Sequence, residues 1–86
     1  QDGVLAATYR ELSKGDLRFL AAMLPEDESA LADIAARMGV ASNYASKYKE
    51  RLLESGVIGD CGHNTFRFDL PGFRSYLQGR MDEAGE

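Results

Sequence analysis

Residues 33–58 read DIAARMGVASNYASKYKERLLESGVI, and the reading of this stretch decides the fold. Two short helical periodicities flank a sharp turn. In the first, Leu31, Ile34, Ala35 and Met38 recur at i, i+3, i+4 and i+7 and form one apolar face. Gly39 follows, the residue type that closes a helix in the left-handed conformation. Val40 and Ala41 fill the turn, and Ser42 carries a side-chain oxygen suited to N-capping the next helix. That second helix, predicted over residues 42–55, sets Ala45, Tyr48 and Leu52 on one side and stops at Gly56. The small Ala35 lies where two helices must approach closely, and the glycine four positions later supplies the turn. This is the outline of a helix-turn-helix.

Towards the N-terminus, Leu5, Tyr9 and Leu12 fall at i, i+4 and i+7 and predict a short amphipathic helix over residues 4–12. Ser13 and Asp16 are spaced as a capping box, with Asp in the usual place of Glu, and open another helix. In it Leu17, Leu20, Ala21 and Leu24 share one face while Phe19 and Met23 form a second, which predicts a central position in the core. Pro25 ends this helix. Glu26, Asp27 and Glu28 make an acidic connector that favours the positive end of a helix beginning after Ser29.

Beyond Gly56 the period changes from 3.6 to 2. Val57 and Ile58 lead into Gly59, Asp60 and Cys61, then a turn of Gly62, His63 and Asn64, then a run in which Phe66, Phe68 and Leu70 alternate with Thr65, Arg67 and Asp69. Two strands about that turn form a hairpin, or wing, expected to pack on the helix-turn-helix through Val57, Phe66 and Phe68. Pro71 suits the first position of a closing helix, on which Phe73, Tyr76, Leu77 and Met81 share a face. Residues 82–86 should fray. The expected fold is therefore mainly α with a small β-hairpin, a winged helix-turn-helix with a three-helix core, a two-stranded wing and flanking N- and C-terminal helices. Residues 13–81 form the domain, residues 1–12 a helix or linker from an upstream domain, and residues 82–86 a flexible acidic tail. Leu17, Leu20, Leu24, Ile34, Ala35, Tyr48 and Leu52 are the expected core.

The 86 residues suffice for one small domain. An apolar fraction of 44% with 9% aromatic residues argues against disorder. No apolar run approaches the roughly 20 residues of a membrane span, and no signal-peptide pattern opens the chain. A single cysteine, Cys61, excludes an internal disulfide and fits a reducing, cytoplasmic setting. A chain that begins at Gln1 and enters helical pattern at once reads as the C-terminal part of something longer. Charge is segregated: residues 1–33 carry net −4, residues 34–81 net +3 and residues 82–86 net −3. The half that holds the helix-turn-helix is thus mildly basic and suits a polyanion.

The stretches YRELSKGDLRFLAAML, DIAARMGVASNYASKYKERLLESGVI and FRFDLPGFRSYL, over about residues 9–78, resemble the C-terminal winged-helix domain of prokaryotic AAA+ ATPases. These include the archaeal origin-recognition group and its looser bacterial relatives. Part of the pattern is shared with MarR-like regulators. The resemblance implies an ATP-binding ATPase upstream of this segment and a DNA-binding role for the segment itself.

The helical wheel of residues 42–55 places Asn43, Ser46, Lys47, Glu50 and Glu54 opposite the core side, Tyr44 and Arg51 on one flank and Lys49 on the other. Recognition helices read the major groove with their N-terminal residues, so Ser42, Asn43, Tyr44, Ser46 and Lys47 are the candidate contacts. Asn pairs bidentately with adenine, and Lys donates to guanine or phosphate. Lys49, Arg51 and the wing residues His63 and Arg67 are candidate phosphate contacts, although a histidine in such a turn is more often simply solvated. Cys61 and His63 are too few for a zinc site. No GxxxxGK[ST] loop, HExxH or nucleophile elbow occurs, so the segment itself reads as non-enzymatic and without cofactor. Two functions remain: weak DNA binding, and a regulatory winged helix that docks on its parent ATPase or another protein, which the net charge of −4 favours. RNA binding by the same helix is not separable from the first. Leu5, Tyr9 and Leu12 are surplus to a minimal winged helix and are expected to meet an upstream domain or a second copy.

Overall fold

The computed structural model describes residues 2–84. Its elements run α1 (Asp2–Glu11), α2 (Lys14–Met23), β1 (Ser29–Ala30), α3 (Leu31–Met38), α4 (Ser42–Ser55), β2 (Ile58–Gly62), β3 (Thr65–Phe68) and α5 (Phe73–Ala84). This is a mainly helical winged helix-turn-helix with a small antiparallel sheet.

Local chemistry sets most of the boundaries. At the start of α2 the Asp16 amide donates to Ser13 Oγ at 3.1 Å and the Ser13 amide donates to Asp16 Oδ2 at 3.0 Å, a complete capping box. Helices α3 and α4 stop at Gly39 and Gly56, whose φ values of 76° and 83° suit glycine best. The hairpin turns through His63 (φ 53°) and Asn64 (φ 61°), two successive left-handed residues, as a type I′ connection requires. Across the sheet the order is β1-β3-β2. Ile58 pairs with Phe68, and a bulge lets Asp60 face Phe66 while Gly62 faces Thr65. β1 adds a third strand, Ser29 opposite Phe66 and Ala30 opposite Thr65, and the Leu31 amide donates to the Asn64 carbonyl at 2.9 Å. The wing is thereby tied to the start of α3.

The core gathers Phe19, Leu20 and Met23 of α2, the Leu31, Ile34, Ala35 and Met38 face of α3, Ala45 and Leu52 of α4, Val57, Ile58 and Phe66 of the wing, and Phe73 and Leu77 of α5. Burying each large side chain contributes about 1.5–3 kcal/mol before entropy is set against it.

Several expectations are corrected. Leu17, Leu24 and Tyr48 are half-buried rather than buried; Phe68, with its ring 6.5 Å from that of Phe73, packs against the core as expected and is half-buried. The inward stripe of α2 runs Asp16, Phe19, Leu20, Met23, turned from the all-leucine face because a paired carboxylate takes an inner position. Ser42 is not the N-cap of α4. Gly39 and Val40 hydrogen-bond back onto α3, leaving Ala41 as the extended cap residue, with no side-chain cap bond, and Ser42 as the first helical residue. Ser29 and Ala30 form a strand, and Ala30 caps α3. Pro71 lies in a turn with Gly72 (φ 82°), and α5 begins at Phe73. The wing hairpin has its two strands, β2 and β3, and β1 joins them to make the sheet three-stranded. Helix α5 extends through Ala84, with Gln78 donating to Asp82 Oδ1 at 3.1 Å, so it takes in residues 82–84 of the expected tail. The rest of that tail, residues 85–86, and residue 1 lie outside the described residues.

Helix α1 folds onto α5. Tyr9 meets Tyr76 edge to face with ring centroids 5.9 Å apart, and the Arg80 guanidinium lies 4.6 Å from the Tyr9 ring centre. Leu5 and Leu12 are half-buried against the core. The stripe expected to need an outside partner therefore has one, in large part, within the chain.

Candidate nucleic-acid interface

Helix α4 packs through Ala45 and Leu52 and turns its other side outward. Ser42, Asn43, Tyr44, Lys47, Glu50 and Glu54 are exposed, and Ser46 is half-buried. Its first turn contains no acidic residue and no side-chain cap. The positive end of the helix dipole is left unneutralised by its own residues. The Lys47 ammonium sits 5.1 Å from the centre of the Tyr44 ring. Tyr44 and Tyr48 meet edge to face at 5.6 Å, their hydroxyls 3.3 Å apart. That hydroxyl contact raises the Tyr48 phenol above its ordinary value.

Arg51 belongs to the fold rather than to a free basic face. Its Nη2 donates to Asp16 Oδ2 at 3.0 Å and its Nε to Asp16 Oδ1 at 3.3 Å, a two-pronged pair with a carboxylate that is only 2% exposed. Burial alone would raise the Asp16 carboxyl; the bonds from Arg51 and Ser13 outweigh it and hold it below its ordinary value. The reason is steric as well as electrostatic: Asp16 stands on the inward face of α2 and has no other counter-charge among its hydrogen-bond partners. Lys49 is also drawn inward. It is half-buried, with its ammonium 5.9 Å from the Phe66 ring centre on the wing.

On the wing, Arg67 is exposed, with Nη2 3.8 Å from Asp69 Oδ1, and His63 stands exposed at the tip of the turn. The structure thus places Ser42, Asn43, Tyr44, Ser46 and Lys47 together on one outer face and Arg67 and His63 on the adjoining hairpin, and it pairs Arg51, 60% exposed, with Asp16. The acidic connector is exposed and in part paired. Arg37 donates to Glu26 Oε1 at 3.1 Å and to the Ala22 carbonyl at 2.9 Å, while Arg74 donates to the Leu24 and Glu26 carbonyls and lies 3.7 Å from Asp27.

Sequence reasoning missed Arg18, which donates to the Met38 carbonyl at 2.9 Å and brings a cation to the turn between α3 and α4. No local pattern marks it, because its partner is 20 residues away. A cleft lined by Thr8, Glu11, Leu12, Asp16, Arg51 and Glu54 carries acids on its rim and does not suit a polyanion. Among the described residues no group of three or more His, Cys, Asp or Glu is arranged to hold a metal ion, and no helix is long and apolar enough to cross a membrane.

The chain belongs to the DUF8462 family, a domain of unknown function whose family model matches residues 2–77. No curated protein and no solved structure matches it.

Proposed function

We propose that this chain is a DNA-binding winged-helix domain that lays the N-terminal half of α4 in the major groove while the wing meets the adjoining backbone. One observation carries the reading. The outer face of α4 is uncovered, begins with an acid-free turn, and presents Asn43, Ser46 and Lys47 where a recognition helix presents its contacts. Asn43 and Ser46 supply hydrogen bonds to base edges, Lys47 donates to guanine or phosphate, and Arg67 on β3 contacts the backbone. Ser42 and Tyr44 border the same surface. With Arg51 held by Asp16 and Lys49 drawn over Phe66, few cations are left for phosphate. Binding by a single copy is accordingly weak, with a shallow log–log salt slope of about −0.9 for each phosphate contact that remains. The single free Cys61 suits a cytoplasmic setting, and the resemblance to ATPase C-terminal domains makes a tethered ATPase the natural source of further affinity.

The double change Lys47→Glu and Arg67→Glu tests this. Affinity for duplex DNA should fall tenfold or more, and the log–log salt slope should shrink by about 2 as two phosphate contacts are lost. The melting temperature should hardly move, because both side chains are exposed. If the unmutated chain binds DNA no better than a neutral control protein at low salt, the reading fails.

A second reading, a regulatory module that docks on the parent ATPase or another protein, is favoured by the net charge of −4 and by the same scarcity of free cations. It predicts no measurable DNA affinity at moderate salt. Its docking surface would be the exposed acidic connector, Glu26, Asp27 and Glu28, two of which also make surface ion pairs with Arg37 and Arg74.

A further inference from the structure

We infer that Tyr44, Tyr48 and Gly15 are positioning residues that hold the Lys47 ammonium on the outer face of α4. The inference rests on the DNA-binding reading above and names the device that readies its main cation.

Tyr44 is unusual in this molecule. Among the described residues it and Val4 are the large apolar side chains left exposed, and Tyr44 stands beside the residues proposed to touch DNA. Its ring is nevertheless fixed in place. The Lys47 ammonium lies 5.1 Å from the ring centre on one side, and the Tyr48 ring meets it edge to face with a hydroxyl–hydroxyl distance of 3.3 Å. Tyr48 is seated in turn on a different helix. It crosses the first turn of α2 directly over Gly15, where an added Cβ would collide with Cε1, Cζ and the hydroxyl oxygen, the last at 2.6 Å. A glycine early in α2 lowers helix propensity, and this close approach is the physical reason for it.

The chain of support therefore runs from Gly15 to Tyr48, from Tyr48 to Tyr44, and from Tyr44 to Lys47. A lysine on a bare helix surface samples many rotamers, and a phosphate contact freezes them. A ring face that attracts the ammonium beforehand reduces what is lost on binding. The ammonium has three donors, so the ring leaves others free to point outward to phosphate or a guanine edge. Spacing of i, i+3 and i+4 along α4 puts the three side chains on one strip.

A double-mutant cycle tests it, using fluorescence anisotropy on a labelled random-sequence DNA duplex at several salt concentrations, with a thermal melt of each variant. Tyr44→Leu should weaken binding about two- to fivefold, the range set by an exposed cation–π contact, with the salt slope unchanged because no charge is removed. Lys47→Gln should lower the slope by about 0.9. In the Lys47→Gln background, Tyr44→Leu should have no further effect. Tyr44→Phe, which keeps the ring beneath the ammonium, should restore most of the affinity lost in Tyr44→Leu. Gly15→Ala, which displaces Tyr48, should weaken binding in the same slope-neutral way, and Tyr48→Leu, which removes the supporting ring, serves in its place if that variant does not fold. Additive losses from Tyr44→Leu and Lys47→Gln, or no loss from Tyr44→Leu in a chain whose Lys47→Gln variant shows the expected slope change, would overturn the positioning role while leaving DNA binding intact. Absence of binding by the unmutated chain would instead remove the DNA-binding reading, and the inference with it.

Discussion

At the scale of single residues the most informative position is Asp16. It closes the capping box with Ser13, lies inside the protein and is neutralised by Arg51 from 35 positions away. Replacing it by Asn removes the charge-assisted pair and weakens the cap. Because Arg51 is 60% exposed and stays hydrated when left alone, the loss should be about 1–3 kcal/mol, below the roughly 3–5 kcal/mol for breaking a fully buried pair. Chemical denaturation at neutral pH measures it. The pH dependence has a definite sign. The folded-state pKa of Asp16 lies below the ordinary 3.8, so its stabilisation is complete above that value and is lost as pH falls through the lower folded-state value. The stability gap between the unmutated chain and Asp16→Asn should therefore be constant from pH 7 to about 5 and close in strong acid. A gap that is independent of pH down to 2 would mean that the carboxylate charge contributes nothing.

Among the elements, the wing hairpin has the clearest local logic. A type I′ turn wants left-handed residues at both central positions, and Asn followed by Gly satisfies it best. Here His63 and Asn64 occupy those positions, each at some conformational cost. The double change His63→Asn and Asn64→Gly should stabilise the chain by about 0.5–1 kcal/mol through relief of left-handed strain, read from the denaturation midpoint. It should also leave DNA affinity unchanged if the wing acts through Arg67 alone. A loss of affinity with preserved stability would assign His63 a contact of its own. The same element shows why its third strand escaped notice. β1 has two residues, Ser29 and Ala30, and two residues carry no periodicity; the strand exists because β3 offers it partners and the Leu31 amide reaches the Asn64 carbonyl.

For the whole molecule the question is whether α1 belongs to the domain or to a neighbour. Tyr9 packs on Tyr76 and beneath Arg80, and Leu5 and Leu12 adjoin the core, so α1 completes the α5 side of this fold. Tyr9→Ala should then lower stability by about 1–3 kcal/mol, less than the roughly 3–5 kcal/mol of a fully buried aromatic because the site is only half-buried. The loss should be the same at micromolar and at hundredfold higher concentration. A cost that appears only at the higher concentration would return the stripe to an interface between copies, since only association makes stability depend on concentration.

What the sequence determined by itself was local. The apolar face of α3, the glycine stops at 39 and 56, the capping box of Ser13 and Asp16, the change of period at Gly56 and the turn at His63 and Asn64 each depend on residues within a few positions of one another. Short-range sterics and hydrogen bonds suffice to specify them. The tertiary structure alone decided which way α2 faces, that Arg51 is bound to Asp16, that Lys49 leans on Phe66, that Arg37 and Arg74 hold the acidic connector, and that Gly15 makes room for Tyr48. In each of these cases the partners lie far apart in the chain. Whether a charged side chain is free to meet a ligand depends on which group folding brings beside it, and local periodicity carries no record of that neighbour.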